Sequence, residues 1–115
     1  MTLRLPLPPS ANRYWRHVGR KVLLSEEARW YRECCNFACL VQWKAPPIEG
    51  WVRVHADLYF PNLRGDLDNR AKQLLDGIQG HVFADDSQVW DLRLIRHTDK
   101  DNPRAEVTIS PIEDA

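Results

Sequence analysis

At 115 residues the chain has room for one domain with a modest core, and we take residues 1–115 as a single domain. Hydrophobic residues form 43% of it, which excludes a disordered chain, and no apolar run approaches the roughly 20 residues that span a bilayer. The formal net charge is zero, but residues 1–64 hold ten Lys and Arg against five Asp and Glu, whereas residues 65–115 hold six against eleven. This uneven distribution indicates a basic half suited to phosphate and an acidic half suited to a metal ion; chance segregation of surface charge is the alternative.

The N-terminal residues and the cysteines indicate the cellular compartment. Residues 1–9 carry one charge and lack the long apolar region and small-residue cleavage site of a signal peptide, so we expect a cytoplasmic protein. Cys34, Cys35 and Cys39 are odd in number and match neither a disulfide framework nor paired zinc-ligand spacing. We predict that they are small apolar residues of a reduced helix.

The N-terminal region predicts a strand, a loop and a hairpin, in that order. Leucines alternate with other residues over 2–7, and the nearby prolines favour a strand at a sheet edge. A turn-rich loop follows at Pro8–Asn12. Segments 14–18 and 21–24 then flank Gly19-Arg20, which predicts a small hairpin arm that carries Tyr14, Trp15 and several basic residues.

A helix is predicted after the hairpin. Ser25 is a suitable N-cap, and the two following glutamates suit the positive end of a helix dipole. The helix should end before Pro46-Pro47. Its predicted buried stripe, with Tyr31 and Ala38 alongside, consists of Trp30, Cys34, Phe37 and Val41.

The C-terminal region predicts three strands and a second helix. Residues 51–60 alternate between apolar and polar, which is typical of a half-buried strand. A helix is expected from about Asp66 to Ile78, and further strands near 88–97 and 104–110. The predicted buried stripe of the second helix is Leu67, Ala71, Leu74, Leu75 and Ile78. Together these elements predict an α/β (α+β) fold with a mixed sheet and two main helices.

Four aspartates are the candidate catalytic and metal-binding residues. Asp66 and Asp68 stand at the start of the second helix, Asp85 and Asp86 stand before a strand, and we expect all four to converge at one end of the sheet. Mg²⁺ prefers oxygen ligands and binds through a few carboxylates plus water and substrate phosphate. Lys72, one turn after Asp68, adds a cation beside the scissile phosphate. The structural alternatives are a helix cap for Asp66, a turn for Asp85-Asp86 and an i,i+4 surface pair for Asp68–Lys72.

A basic surface is the candidate DNA-binding site. Basic residues concentrate in the predicted arm, where they can contact phosphates. The aspartate at 91 is instead expected to face solvent and pair with an arginine. The candidate DNA-binding residues are Asn12, Arg13, Arg16, Arg20, Lys21, Arg64 and Asn69.

Three ordered motifs give the chain a resemblance to the RusA family of Holliday junction resolvases, over nearly its whole length. The first is similar to the family's Pro-Pro-Ser-x-Asn-x-Tyr/Leu-Trp stretch, the second to its Asp-x-Asp-Asn-x-x-Lys signature, and the third to its Asp-Asp-x-Gln/Glu motif. These are Pro8 to Trp15; Asp66, Asp68, Asn69 and Lys72; and Asp85 to Gln88. One departure is Gly65, where some members have a basic residue; it leaves open how phosphate is held there.

The resemblance implies a homodimer that binds four-way DNA junctions and nicks two strands symmetrically with Mg²⁺, for which Mn²⁺ can substitute. It implies essential carboxylates at Asp66, Asp68 and Asp86, a supporting one at Asp85, all four being metal ligands, and a catalytic cation at Lys72. Two alternatives stay open from the residues: a module that binds branched DNA without cutting it, and a nuclease that acts on flaps or nicked duplex.

Overall fold

The computed structural model describes residues 2–113, and its elements follow the predicted order. Short 3-10 turns precede the hairpin, the second helix and the fifth strand, at Ala11–Arg13, Asp68–Arg70 and Asp86–Gln88. Neither helix of this described range is long and apolar enough to cross a bilayer. The strands and helices are β1 (Thr2–Leu5), β2 (Trp15–Val18), β3 (Lys21–Leu24), α1 (Glu26–Gln42), β4 (Val52–Phe60), α2 (Ala71–Ile78), β5 (Val89–Thr98) and β6 (Arg104–Pro111).

Four strands form a mixed sheet, which confirms the predicted fold class. Their order is β1-β6-β4-β5; β4 pairs antiparallel with β6 and parallel with β5. β1 lies at one edge, as its neighbouring prolines indicate. β2 and β3 form a separate hairpin whose two-residue turn uses Gly19 at a φ of 62°, as predicted.

The core lies between the two helices and one face of this sheet. Alternate residues of β4 from Val52 to Phe60 are buried, and they pack with buried residues of β1, β6 and both helices. The predicted alternation of this strand is therefore confirmed. The opposite face of the sheet carries ion pairs, among them Arg53–Asp91 at 2.8 Å and His97–Asp57 at 2.7 Å.

The predicted buried stripe of α1 is wrong, although its cap and its length are as expected. The Ser25 side chain accepts a hydrogen bond from the Ala28 backbone N–H, which begins the helix. The buried residues are Ala28, Tyr31, Cys35 and Cys39, whereas Trp30, Phe37 and Val41 are exposed and Cys34 is half-buried.

A close approach of the two helices at Gly77 explains why α1 buries the stripe that contains Cys35. A Cβ added to Gly77 of α2 would lie 2.8 Å from the Cys35 Sγ and 3.3 Å from the Tyr31 ring. The inner stripe suits this gap because the residue at the closest contact is the small Cys35, with the Tyr31 ring beside it. The size of the residue at the contact therefore helps to decide which face of α1 is buried.

The second helix begins later than predicted, and part of its predicted stripe is only half-buried. α2 begins at Ala71, because Asn69 in the preceding 3-10 turn has non-helical backbone angles. Leu74, Leu75 and Ile78 are buried as predicted, whereas Leu67 and Ala71 are half-buried. Asp66 consequently lies in the loop before the 3-10 turn, and its side chain caps neither helical segment.

Candidate functional site

An open cleft of about 540 Å³ lies beside the loop that follows β4. Two of the three sequence motifs meet in it: the N-terminal one supplies Ser10, Asn12 and Arg13, and the second supplies Asp66 and Asn69. The remaining lining residues are Leu7, Glu27, Phe60, Pro61, Asn62, Arg64, Gly65 and Arg70. The cleft therefore presents two carboxylates, Asp66 and Glu27, together with three arginines on one concave surface.

Two arginines hold the loop that carries Asp66. Arg96 of β5 donates hydrogen bonds to the carbonyl oxygens of residues 62, 64 and 65 at 2.7–3.0 Å, and its guanidinium lies 3.8 Å from the Phe60 ring centroid. Arg70 donates to the Pro8 carbonyl at 2.7 Å and to the Asp66 carbonyl at 3.2 Å. Burial lowers the pKa of Arg70 from its ordinary value. The loop is thus fixed to both β5 and the N-terminal motif.

The backbone conformation at position 65 explains why this residue is glycine. Its φ is +86°, in the left-handed region, and a Cβ there would lie 2.7 Å from an Arg70 guanidinium nitrogen. Arg70 and Arg96 hold the backbone of this loop through the carbonyl oxygens of Asp66 and Gly65, and Arg64 lines the cleft together with Asp66.

Lys72 connects α2 to the second acidic segment. Its ammonium group donates to the Asp86 carboxylate and lies 3.2 Å from the Asp76 Oδ1. The hydrogen bond to Asp86 is the main cause that raises the pKa of Lys72. Lys72 makes no ion pair with Asp68 within residues 2–113, so the i,i+4 surface pair that we weighed as an alternative is absent there.

Asp76 joins Lys72 to the N-terminal motif. Its Oδ2 lies 3.4 Å from the Tyr14 hydroxyl, which donates to it, and 3.5 Å from an Arg32 guanidinium nitrogen. Arg32 also donates to the Tyr14 hydroxyl oxygen at 2.8 Å. Tyr14 is 1% exposed and precedes β2, so its predicted place in the hairpin arm is wrong: it anchors the arm to α2.

The turn at Asp85–Gln88 is fixed by side-chain hydrogen bonds. The Asp85 carboxylate caps the turn by accepting from the backbone N–H and the hydroxyl of Ser87, and the hydroxyl bond is the main cause that lowers its pKa. Gln79 Oε1 accepts from the Asp86 backbone N–H at 3.0 Å. Gln88 binds backbone groups on both sides of the turn. Asp85 therefore has the structural role that we considered as its alternative, and Asp86 is held by its neighbours.

The expectation that both acidic segments share one end of the sheet is wrong. Asp66 follows β4, whereas Asp85 and Asp86 precede β5, and the two strands are parallel. A segment after one strand and a segment before its parallel neighbour lie at opposite ends of the pair. α2 lies between the two segments in the chain, and Lys72 connects it to Asp86. Within residues 2–113 no three His, Cys, Asp or Glu side chains are grouped closely enough to hold a metal ion.

The donor chemistry around Asp66 and Asp68 nevertheless fits a hard divalent cation. Within residues 2–113 both carboxylates are exposed and make no hydrogen bond or ion pair, so their oxygens are free. Mg²⁺ typically binds through one or two carboxylates and completes its shell with water and substrate phosphate. Asp86 offers the same oxygen chemistry, at present compensated by Lys72.

The predicted DNA-binding cations are available for phosphate. In the described part of the chain the side chains of Arg13, Arg16, Arg20, Lys21 and Arg64 are exposed and make no ion pair. Asn12 is also exposed. Asn69 differs, because its Oδ1 is buried beside the cleft with no donor in the described range.

Some residues that organise the site were not identified from the sequence. Arg96 and Asp76 act on groups more than thirty residues away or on a different element, and no local pattern indicates such contacts. Gln88 belongs to a motif that we recognised, but its side-chain hydrogen bonds to the backbone of Ala84 and Ile48 were not predicted. Asp91 was placed correctly, since it pairs with Arg53 on the open face of the sheet.

The sequence is similar to known proteins over nearly its whole length. A sequence model of the family described as Endodeoxyribonuclease RusA matches residues 6–110. The chain is 32% identical to a crossover junction endodeoxyribonuclease of Enterobacteria phage 82, over 94% of this chain and 92% of that protein. It is 32% identical to one of Escherichia coli and 34% identical to one of Enterobacteria phage HK97, each over 95% of this chain and 92% of the relative.

Proposed function

Since the chain belongs to the RusA family of endodeoxyribonucleases, we propose that it is a crossover junction endodeoxyribonuclease that depends on Mg²⁺. It resolves four-way DNA junctions by paired symmetric nicks, in the cytoplasm, during recombination and repair. The observation that carries this proposal is the cleft in which Asp66 lies beside Arg13 and Arg64. Such a surface can bind a phosphodiester and the metal ion that acts on it.

Different residues of the protein bind the DNA phosphates and stabilise the negative charge that develops during cleavage. Arg13 and Arg64 bind the phosphates of the strand that enters the cleft. Lys72 stabilises negative charge on the scissile phosphate, and Asp76 and Asp86 keep its ammonium in place. Asp66 and Asp68, whose carboxylates are exposed and unpaired within residues 2–113, would hold Mg²⁺. The bound ion supplies phosphoryl polarisation and a bound water of lowered pKa.

We also propose that the active species is a homodimer. A four-way junction has approximate twofold symmetry, and two symmetric nicks require two equivalent sites. A dimer with a twofold axis provides such sites without further adaptation of the chain. Paired nicking is then a consequence of the assembly, not of a second site in one subunit.

Asp68→Asn separates cleavage from binding. We expect it to abolish junction cleavage and to preserve or tighten junction binding, because the variant loses a metal ligand and its repulsion from phosphate. Asp101→Asn, in the exposed turn before β6, is the matched control and should cleave like wild type. Each protein is incubated with a synthetic four-way junction and with linear duplex, with and without Mg²⁺ or Mn²⁺. Wild-type rates for Asp68→Asn would reject the metal assignment.

The same assay distinguishes the two alternative functions. Wild-type protein that binds the junction but never cuts it, with either metal, is a non-cleaving module. Equal cutting of flaps or nicked duplex indicates a less selective nuclease. Paired nicks confined to the branched substrate support the proposed activity.

The basic arm is tested through the salt dependence of binding. Replacing Arg16, Arg20 and Lys21 with Ala should weaken junction binding and reduce the log–log salt slope by about 0.9 for each phosphate that the variant no longer neutralises. The three side chains are exposed, so folding should not change. Lys100→Ala, an exposed cation in the turn before β6, is the control. An unchanged slope in the triple variant would show that the arm does not touch DNA.

A further inference from the structure

Arg96 occupies a position of β5 where the strand's alternation predicts an apolar side chain. Leu94 and Arg96 are in register with Ala56 and Leu58 of β4, both of which are buried. Leu94 packs against the core, and the Arg96 guanidinium lies 3.8 Å from the centroid of the buried Phe60 ring. Arg96 therefore lies on the face of the sheet that packs against the helices. A cation there is costly unless its donors are satisfied.

The donors of Arg96 are satisfied by the loop between β4 and the 3-10 turn at Asp68–Arg70. They bind three carbonyl oxygens at 2.7–3.0 Å, those of Asn62, Arg64 and Gly65. In the described part of the chain, residues 61–66 make no backbone–backbone hydrogen bond. Side chains must therefore order this loop, and Arg96 binds it at more carbonyls than Arg70, which takes the Asp66 carbonyl.

We propose that Arg96 is a positioning residue for the metal site. It fixes the backbone immediately before Asp66, whose exposed carboxylate lines the cleft and makes no hydrogen bond or ion pair within residues 2–113. A ligand whose backbone is already ordered loses less conformational entropy when a cation binds. Arg96 thereby raises the affinity of the site for its divalent cation. The inference deepens the proposed function and rests on its assignment of Asp66 to the ion.

This role differs from that of a phosphate-binding arginine. Arg64 lines the cleft, whereas Arg96 is not among the residues that line it. The Arg96 guanidinium is instead occupied by three carbonyl oxygens and the Phe60 ring. Loss of Arg96 should therefore change how tightly the protein binds a metal ion and leave its metal-free binding of DNA unchanged.

Arg96→Leu tests the role, because it removes the donors and continues the apolar row of Leu94. The variant should fold, with a cooperative urea transition. Its affinity for Mn²⁺ without DNA, measured by calorimetry, should fall about tenfold, since loss of a group that supports a metal ligand typically costs 10–100-fold. Arg93→Leu is the matched control: Arg93 is exposed on the same strand, in register with His55 of β4, and its loss should leave Mn²⁺ affinity unchanged.

Arg96→Lys is the second variant, and it decides the question if Arg96→Leu does not fold. It keeps the positive charge, but a single ammonium nitrogen cannot reproduce the planar fork that reaches three carbonyls. Its Mn²⁺ affinity should therefore lie between those of the wild type and Arg96→Leu. Wild-type affinity in a folded Arg96→Leu, or in Arg96→Lys if the leucine variant is unfolded, would overturn the proposal.

Two further measurements separate this inference from the proposed function. Asp68→Asn removes a proposed ligand; if it binds Mn²⁺ weakly while Arg96→Leu binds it like wild type, the metal assignment stands and the positioning role of Arg96 is wrong. If Asp68→Asn also binds Mn²⁺ like wild type, the metal assignment itself fails. Junction binding in EDTA should be the same for Arg96→Leu and wild type, and weaker binding there with unchanged Mn²⁺ affinity would show that Arg96 contacts DNA instead.

Discussion

Gln88 is expected to contribute more to stability than any other residue of the Asp85–Gln88 turn. Its Oε1 accepts from the backbone N–H groups of Ala84 and Asp85 at 2.9 and 3.0 Å, and its Nε2 donates to the carbonyls of Ile48 and Gly50 at 2.9 and 2.8 Å. Each bond contributes about 0.5–1.5 kcal/mol, and ordering the side chain costs about 1.5–2 kcal/mol. Gln88→Ala should therefore lower the free energy of unfolding by about 2–3 kcal/mol.

Urea unfolding measures this loss, and two other variants give the comparison. Gln88→Glu keeps the acceptor but sets a carboxylate oxygen against two carbonyls, so it should destabilise at least as much as Gln88→Ala. Ser87→Ala removes only the hydroxyl bond to Asp85 and should cost about 1 kcal/mol or less. If the free energy of unfolding of Gln88→Ala lies within about 0.5 kcal/mol of the wild-type value, the Gln88 hydrogen bonds do not stabilise the turn as proposed. Junction cleavage by Gln88→Ala should also fall below that of Ser87→Ala, because the segment just before Asp86 loses its hydrogen bonds to Gln88.

Two further predictions concern the contact between α1 and α2. Gly77→Ala should lower the free energy of unfolding by about 1–2 kcal/mol despite a better helix propensity, since its Cβ would lie 2.8 Å from the Cys35 Sγ; a urea midpoint above wild type would contradict this. Burial raises the pKa of Cys35 to about 12 and that of Cys39 to about 11, so both stay protonated and unreactive at pH 8. Of the three thiols, only Cys34 should then react with an aromatic disulfide reagent in native protein, and all three should react in urea; a second fast thiol in native protein would show that the inner face of α1 opens.

Local patterns were sufficient for the elements but not for their mutual placement. The alternation of β4, the cap at Ser25 and the turn at Gly19 are each determined within a few residues, and the structure confirms them. The end of the sheet at which Asp86 lies depends on β5 being parallel to β4. Strand direction follows from long-range pairing, and no residue near the aspartates encodes it.

The error on α1 has a physical explanation that applies to other helices with two apolar stripes. Hydrophobicity favours the stripe with Trp30 and Phe37 as the core, yet the helix that packs against α1 has a glycine at the contact. A glycine at position 77 of an otherwise good helix is the one local signal of a close approach, and it favours small partners such as Cys35. The stripe with Trp30 and Phe37 then remains on the surface.

The ionisation of Lys72 limits the chemistry that the site can perform. Its pKa is raised, chiefly by the hydrogen bond to Asp86, so the ammonium keeps its proton throughout the neutral range. A group with a raised pKa cannot accept a proton from water near pH 7. Lys72 therefore serves as a fixed positive charge, and the proton of the attacking water must go elsewhere. Asp86→Asn removes the main cause of the raised pKa, so an NMR titration of the Lys72 side chain should show its pKa fall toward the ordinary value, whereas an unchanged pKa would mean that Asp86 does not hold the ammonium.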